Sequence, residues 1–379
     1  MENNKSSYYY RLDIYRFIFT VFVVVLHFEQ LYRTQPQLYH LSRSLYRSVD
    51  FFFLLGGFLL FRSFKNQHYA NALDFTLAKA KRLIPINFTA VICTCLFMSL
   101  HSIKGIADIL SVIKSFVHYV ICTIPNLLFL QEFIPVFETF CGGDYFIPLW
   151  YISAMLLSSF IWFWFLKAEQ HKHGENCKAF GWGLIAAVLI YCYLINIYGS
   201  INVSQGAVPG LNLAPGFLRG LADIGLGIFC ANFSVKINNK KIRAVLKLVL
   251  PLLLFALAFY AAETVIDFVF ISICAFVLVF EFSIEEEPSL LIQKLCKFAG
   301  KISIPIYFSH AFVIIIVYTP VFQRLPALEA NVPLNLAVRA VLVAAVSFIF
   351  YVISKLLEKP FEKFYSCVVA RAETESNAL

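Results

Sequence analysis

Charge is scarce in this chain. Of 379 residues, Asp, Glu, Lys and Arg supply 14% and the apolar types 60%, with a mean hydropathy of +0.75. Soluble domains carry nearer ~25% charged residues, so that class is excluded and a polytopic integral membrane protein is expected. No Cys-x-x-Cys pair occurs among the ten cysteines. Most of them (Cys93, Cys95, Cys122, Cys192, Cys230, Cys274) fall in or beside apolar runs, where Cys acts as a small apolar residue. Neither a disulfide framework nor a zinc site is therefore expected. His171 and His173, in a Lys/Glu-rich loop, could chelate a metal, a solvated charged loop being the plainer reading. No repeat of solenoid period, transporter-type inverted repeat or linker to a second domain is visible. A cleavable signal is not expected either, because the first apolar run holds Asp13 and Arg16 and is too long for a typical signal core.

Stretches long enough to cross ~30 Å of hydrocarbon lie at 12–31, 48–61, 83–100, 147–166, 179–198, 214–233, 244–262, 264–281, 302–322 and 335–354. A further candidate at 109–131 is interrupted by Lys114, His118 and Pro125. The expected fold is all-α, a transmembrane helical bundle of about ten spans forming one domain over 1–379, with a short cytoplasmic tail over 355–379. Basic residues tend to stay on the cytoplasmic side of short loops. With the N-terminus inside and 109–131 re-entrant or lying at the outer face, the inner segments collect Arg62, Lys65, Lys79, Lys81, Arg82, Lys236, Lys240, Lys241, Arg243 and most other cations. The outer segments keep only Arg33, Arg43, Arg47, Lys104, Lys114 and Arg324. Counting 109–131 as a full span would put the basic 234–243 cluster outside. Both termini are thus expected in the cytoplasm, and the net charge of +8 reflects membrane topology and implies no nucleic-acid partner.

Inside the first apolar run sit Arg16 and His27, at a depth where ionisable groups are expensive and usually functional. Eleven helical steps make three turns plus about 20° and a rise of roughly 16 Å, so the two share one face at different depths. That geometry suits one extended ligand gripped at two points. An Arg near the headgroups and a His bonded within the bundle is the plainer alternative.

Further pieces stand in a fixed order. They are Leu12-Asp13-Ile14-Tyr15-Arg16 with His27, Val49-Asp50-Phe51-Phe52-Phe53-Leu54-Leu55-Gly56-Gly57-Phe58, and Lys79-Ala80-Lys81-Arg82-Leu83-Ile84-Pro85. Leu149-Trp150-Tyr151-Ile152-Ser153, Phe217-Leu218-Arg219-Gly220 with Gly225 and Gly227, Ile306-Tyr307-Phe308-Ser309-His310 and Glu358-Lys359-Pro360-Phe361 follow. Taken together the set resembles the acyltransferase-3 family, integral-membrane O-acyltransferases of bacterial cell-surface polysaccharides and lipids, along nearly the whole chain. Gly56 stands where that family usually has Ser, and Gly keeps close helix approach available. Lys79 replaces an Arg, keeping the charge but losing the bidentate fork. Met155 stands where many members have Glu, which argues against a carboxylate role there.

The resemblance implies an acyl-CoA donor, most often acetyl-CoA, used as a co-substrate with no tightly bound cofactor. It also implies a hydroxyl acceptor on a cell-surface or lipid-linked polysaccharide and a multi-pass location in the cytoplasmic membrane. Acyl transfer to a hydroxyl needs a base and fixed donors or positive charge for the oxyanion. His27 is the expected base, with direct transfer and a transient acyl-histidine both open. Arg16, Lys79 and Arg82 are candidates for the donor's phosphates, Arg82 alternatively being a topology anchor. Asp13 either orients Arg16 or forms an interfacial i,i+3 ion pair. Arg219 could meet the acceptor or the oxyanion, or snorkel. His310 and Tyr307 could line an acyl channel or sit satisfied in the bundle, and Trp150 and Tyr151 could form a sugar platform or an aromatic belt. Asp50 needs a basic partner if buried. Glu358 with Pro360 is expected to end the last helix and tether the tail. Two rival classes remain, a polysaccharide or lipid exporter and a non-catalytic accessory subunit; acyl-CoA turnover discriminates them from the enzyme.

Overall fold

The computed structural model describes residues 8–28, 39, 42–101, 109–132, 149–174, 179–204, 208, 209, 213–260, 264–284, 288–317 and 331–376. Within them every regular element is helical. The principal helices are α1 (Tyr10–His27), α2 (Ser48–Lys65, preceded by a 3₁₀ turn at Ser44–Arg47), α3 (Ala72–His101), α4 (Ile109–Cys122), α5 (Trp150–His173) and α6 (Ala179–Tyr198). They continue with α7 (Pro215–Cys230), α8 (Lys240–Phe259), α9 (Thr264–Phe282), α10 (Leu290–Val317) and α11 (Val332–Ser376). Seven segments among the described residues are long and apolar enough to cross a membrane, those within α2, α3, α5, α6, α8, α9 and α11. The remaining expected spans, 12–31, 214–233 and 302–322, coincide with α1, α7 and α10. Of these, α1 carries Arg11, Asp13 and Arg16, α7 has 16 residues, and α10 leaves the described residues at Val317. Helix α4, at 14 residues, rises about 21 Å, short of the ~30 Å hydrocarbon layer.

Apart from the short α4, successive helices alternate in direction. At the end where α1 begins, called proximal, Arg11 of α1 meets Glu281 near the end of α9 and the Lys247 carbonyl of α8, and Arg62 near the end of α2 lies over the Tyr9 and Phe282 rings. At the opposite, distal end, the turn before α2 joins the end of α8 and the start of α9 through Arg47, which bonds Asp267 and the Leu257 and Tyr260 carbonyls. A side chain expected as a loop cation is therefore fully buried. Removal of water from its site makes the carboxylate and the two carbonyl acceptors necessary.

Helices α2 and α7 form the middle of the bundle, and small residues set their spacing. A Cβ at Gly57 would strike the Ile224 carbonyl, one at Gly227 the Leu54 carbonyl, and one at Gly183 of α6 the Gly225 carbonyl. Close approach of this kind is the main source of packing energy where lipid removes the hydrophobic drive. Gly56 plays no part in it, since a Cβ there would meet nothing within 4 Å; the expected role belongs to its neighbour Gly57. Outside this core, apolar side chains such as Leu189, Leu248, Val265, Val341 and Phe348 are exposed, as lipid-facing positions must be.

Three expectations are corrected. The last helix does not end at Glu358 and Pro360: α11 runs unbroken for 45 residues, about 67 Å, with Pro360 inside it. Packing against α3, Phe361 on Phe88 and Tyr365 over Lys81, holds the segment helical despite the hydrogen bond that Pro removes. Glu358 bonds Lys355 at 2.6 Å within the helix and ends nothing. Against the expectation of no disulfide framework, Cys122 is disulfide-bonded. Finally, His171 and His173 close α5 instead of lying in a loop.

Candidate active site

On α1, Asp13, Arg16, Thr20 and His27 recur at alternating steps of three, four and seven, which keeps them on one face. Asp13 is buried, accepts a hydrogen bond from the Tyr8 hydroxyl at 2.5 Å and pairs with Arg16 at 3.6 Å. Its carboxyl fills the space over Gly300 of α10, where no Cβ would fit. Partial burial, and then the bond to Asp13, pushes the Tyr8 phenol up to about 12. The Arg16 side chain stays 41% exposed against 8% for Asp13, so the ion pair steadies the guanidinium without covering it.

Helices α3 and α5 bring more charge and aromatic surface to that face. Arg16 and Arg82 are both close enough to Lys79 for their charges to act on its ammonium. Lys79 itself reaches the Ser159 hydroxyl of α5 at 3.4 Å and lies over the Phe75 ring at 4.5 Å. Three cations thus converge with no carboxylate but Asp13 described as paired among them, the arrangement that a multiply charged anion would neutralise. Arg16 also acts on Tyr151. From Tyr151 a line of rings leads away: Tyr151 to Tyr307 at 5.9 Å, Tyr307 to His310 at 5.3 Å, and His310 to His27 at 5.2 Å between centroids.

The imidazoles at the far end have defined tautomers. His27 Nδ1 lies 2.8 Å from the Val23 carbonyl, and His310 Nδ1 bonds the Tyr307 carbonyl. A carbonyl only accepts, so each neutral ring carries its proton on Nδ1 and its lone pair on Nε2. His310 is fully buried and its Nε2 has no hydrogen-bond partner among the described residues. The Tyr151 hydroxyl donates to the Met155 sulfur at 3.3 Å, which fills the place of the carboxylate absent at 155. A basic nitrogen, an aromatic wall and a cationic mouth can bind an extended anion and take a proton at one end.

The family comparison can be read against this geometry. The acyltransferase-3 model, described as an acyltransferase domain, matches residues 9–354. The chain belongs to the acyltransferase-3 family. No curated protein and no solved structure matches the chain. Membership makes it a membrane acyltransferase and accounts for the family-ordered motifs lying on helices that meet in one bundle.

Other sequence-selected residues lie apart from the Arg16 to His27 line. Asp50 and Arg219 are paired with each other, Nε to Oδ1 at 2.7 Å, both about 1% exposed. Arg219 also donates to Asn202 Oδ1 at 3.1 Å and the Tyr46 carbonyl at 3.3 Å, so it does not snorkel. Trp150 is half-buried, packed on Phe53 at 6.1 Å and on Gly216. Ser153 of the same motif holds the 129–132 turn by donating to the Phe129 carbonyl at 2.7 Å.

Sequence reasoning missed four polar partners: Glu281, which takes Arg11 at 2.9 Å and Tyr15 at 3.0 Å; Asp267, which takes Arg47 and Tyr46; and the Tyr191–Asp223 bond. An acid inside an apolar run was a signal available for all three carboxylates, but nothing local names the partner, which for Glu281 and Asp267 lies more than 200 residues away.

Proposed function

We propose that this protein is a membrane O-acyltransferase, acetyl being the first choice of acyl group. The donor is acyl-CoA from the cytosol, entering at the proximal end, and the acceptor is a hydroxyl of a cell-surface or lipid-linked polysaccharide. The reading is supported above all by one observation: in a chain of this family, a cluster of Arg16, Lys79 and Arg82 is joined by buried rings to the His27–His310 pair. The separation of Arg16 and His27 along α1, roughly 16 Å, is comparable with a pantetheine arm, so phosphates rest on the cations while the thioester reaches His27.

In direct transfer, the acceptor hydroxyl oxygen attacks the thioester carbonyl as His27 Nε2 takes its proton. The carbon–sulfur bond then breaks, and the CoA thiolate leaves with the proton from the imidazolium. In the covalent variant Nε2 attacks first, the carbon–sulfur bond breaks and CoA leaves as the thiolate from an acyl-imidazolium; the acceptor hydroxyl then displaces the acyl group from the ring, its proton passing to the thiolate. The Nδ1–H bond to Val23 serves either route by fixing the lone pair on Nε2. A cytoplasmic proximal end is supported by the distribution of Lys and Arg. The Cys122 disulfide beside the distal half of α3 agrees with it, because disulfides persist in oxidising compartments.

Membranes carrying wild type or His27→Ala at matched levels, given labelled acetyl-CoA, test the reading. Label in polysaccharide or lipid with the wild type only is expected. Equal label with both makes His27 structural and overturns the mechanism.

A further inference from the structure

A cleft of about 770 Å³ lies between α3 and the part of α11 that the sequence marks as a tail. Its walls are unlike the lipid-facing surface of the bundle. Lys81 and Arg82 come from α3, and Lys355 with its ion-pair partner Glu358, Glu362, Phe361 and Tyr365 from α11. The two sides are held by Phe88 against Phe361 at 5.5 Å and by the Lys81 ammonium over the Tyr365 ring at 5.0 Å. The volume falls in the range of small-molecule sites. Cations suit phosphate oxygens, half-buried rings suit the face of a base, and a carboxylate suits an exocyclic amine. Arg82 belongs both to this cleft and to the cation group with Lys79 and Arg16. The cleft therefore continues the candidate site outward on the proximal side, where a linear donor would leave its far end.

We infer that this cleft holds the adenosine 3′-phosphate end of the acyl-CoA donor, with the phosphate between Lys81 and Lys355 and the adenine against Phe361 and Tyr365. The amine of the base meets Glu362, and the pyrophosphate runs past Arg82 toward Lys79 and Arg16. The inference rests on the acyl-CoA reading for its ligand and gives α11 beyond Lys355 a binding role. It also supplies a reason for that helix to continue through Pro360: the ring-bearing face would be lost if the chain broke there.

The test uses the full chain in nanodiscs of neutral lipid. Acetyl transfer is measured with acetyl-CoA and with acetyl-dephospho-CoA, and binding with adenosine 3′,5′-bisphosphate, which has no acyl or pantetheine part. The wild type is expected to have a KM for acetyl-CoA about tenfold or more below that for the dephospho donor, the scale of one charge-assisted contact. Lys355→Gln and Lys81→Gln should remove most of that difference by raising the acetyl-CoA value alone. Tyr365→Ala should raise both, and His27→Ala should lose transfer while keeping bisphosphate binding. Transfer that depends on His27 but ignores Lys355, Lys81 and Tyr365 overturns the cleft and spares the enzyme reading. Bisphosphate binding that depends on Lys355, in a protein that transfers from no acyl-CoA, does the reverse. Loss of bisphosphate binding once anionic lipid is present, with Lys355→Gln reducing lipid association and not nucleotide affinity, makes the cleft a headgroup site and also overturns the inference.

Discussion

Replacing Asp50 by Asn keeps the shape of the side chain and removes its charge, which strands the Arg219 guanidinium in a site only about 1% exposed. Breaking a buried ion pair from one side costs about 3–5 kcal/mol, because the remaining charge has lost its counterion and has no water. Arg219 would still donate to Asn202 and the Tyr46 carbonyl, so the lower end, about 3 kcal/mol, is expected. That is roughly a hundredfold in the unfolding equilibrium. A membrane-inserted unfolded state finds partners of its own and reduces the figure further. Arg219→Gln should cost more, since Asp50 and Asp223, which interact, are then both left without the cation. The assay is reversible unfolding in mixed micelles with rising SDS, followed by tryptophan fluorescence, on both single variants and on Asp50→Asn/Arg219→Gln. The double variant should lose clearly less than the two singles combined. Additive losses, or an Asp50→Asn midpoint equal to that of the wild type, would refute the claim that this pair locks α2 to α7.

Further outcomes follow from the same structure. Gly227→Ala should destabilise by about 1–3 kcal/mol, because a Cβ would strike the backbone of Leu54 and Gly57, whereas Gly56→Ala should be neutral; thermal melts in detergent compare the two. Glu281→Gln should loosen the proximal end by removing the carboxylate charge shared by Arg11 and Tyr15, read as faster hydrogen exchange at the start of α1 than in wild type. Tyr8 keeps its proton in the folded state above its ordinary value of 10.0, so its bond to Asp13 contributes fully below pH 10 and is lost as pH rises through about 12. The difference in melting temperature between wild type and Tyr8→Phe should therefore shrink between pH 9 and 12. Alkylation of unfolded, unreduced protein should leave Cys122 unlabelled until reductant is added.

Much of the candidate site was legible in the sequence because its pieces are local. The spacing of Arg16 and His27 already fixed a shared face, and the charge on Asp50 already required a basic partner. Which partner it was could not be read, since Arg219 lies 169 positions away. The residue that seats α2 against α7 was placed one position off, at Gly56, because sequence shows that two glycines are present and not which one faces the neighbour. The end of α11 was also misjudged. Pro360 is a local breaking signal, and only the contacts of Phe361 and Tyr365 with α3 outweigh it.

Composition and helical periodicity by themselves determined the class of fold, the approximate spans and the face that carries Arg16 and His27, since each follows from hydropathy and from 3.6 residues per turn. Tertiary structure alone decided that Tyr151, Tyr307 and His310 connect the cation cluster to His27, and that Arg47, Arg219, Asp267 and Glu281 are internal ties. Those contacts join distant helices through geometry that depends on how the whole bundle packs, and no short stretch of chain contains it.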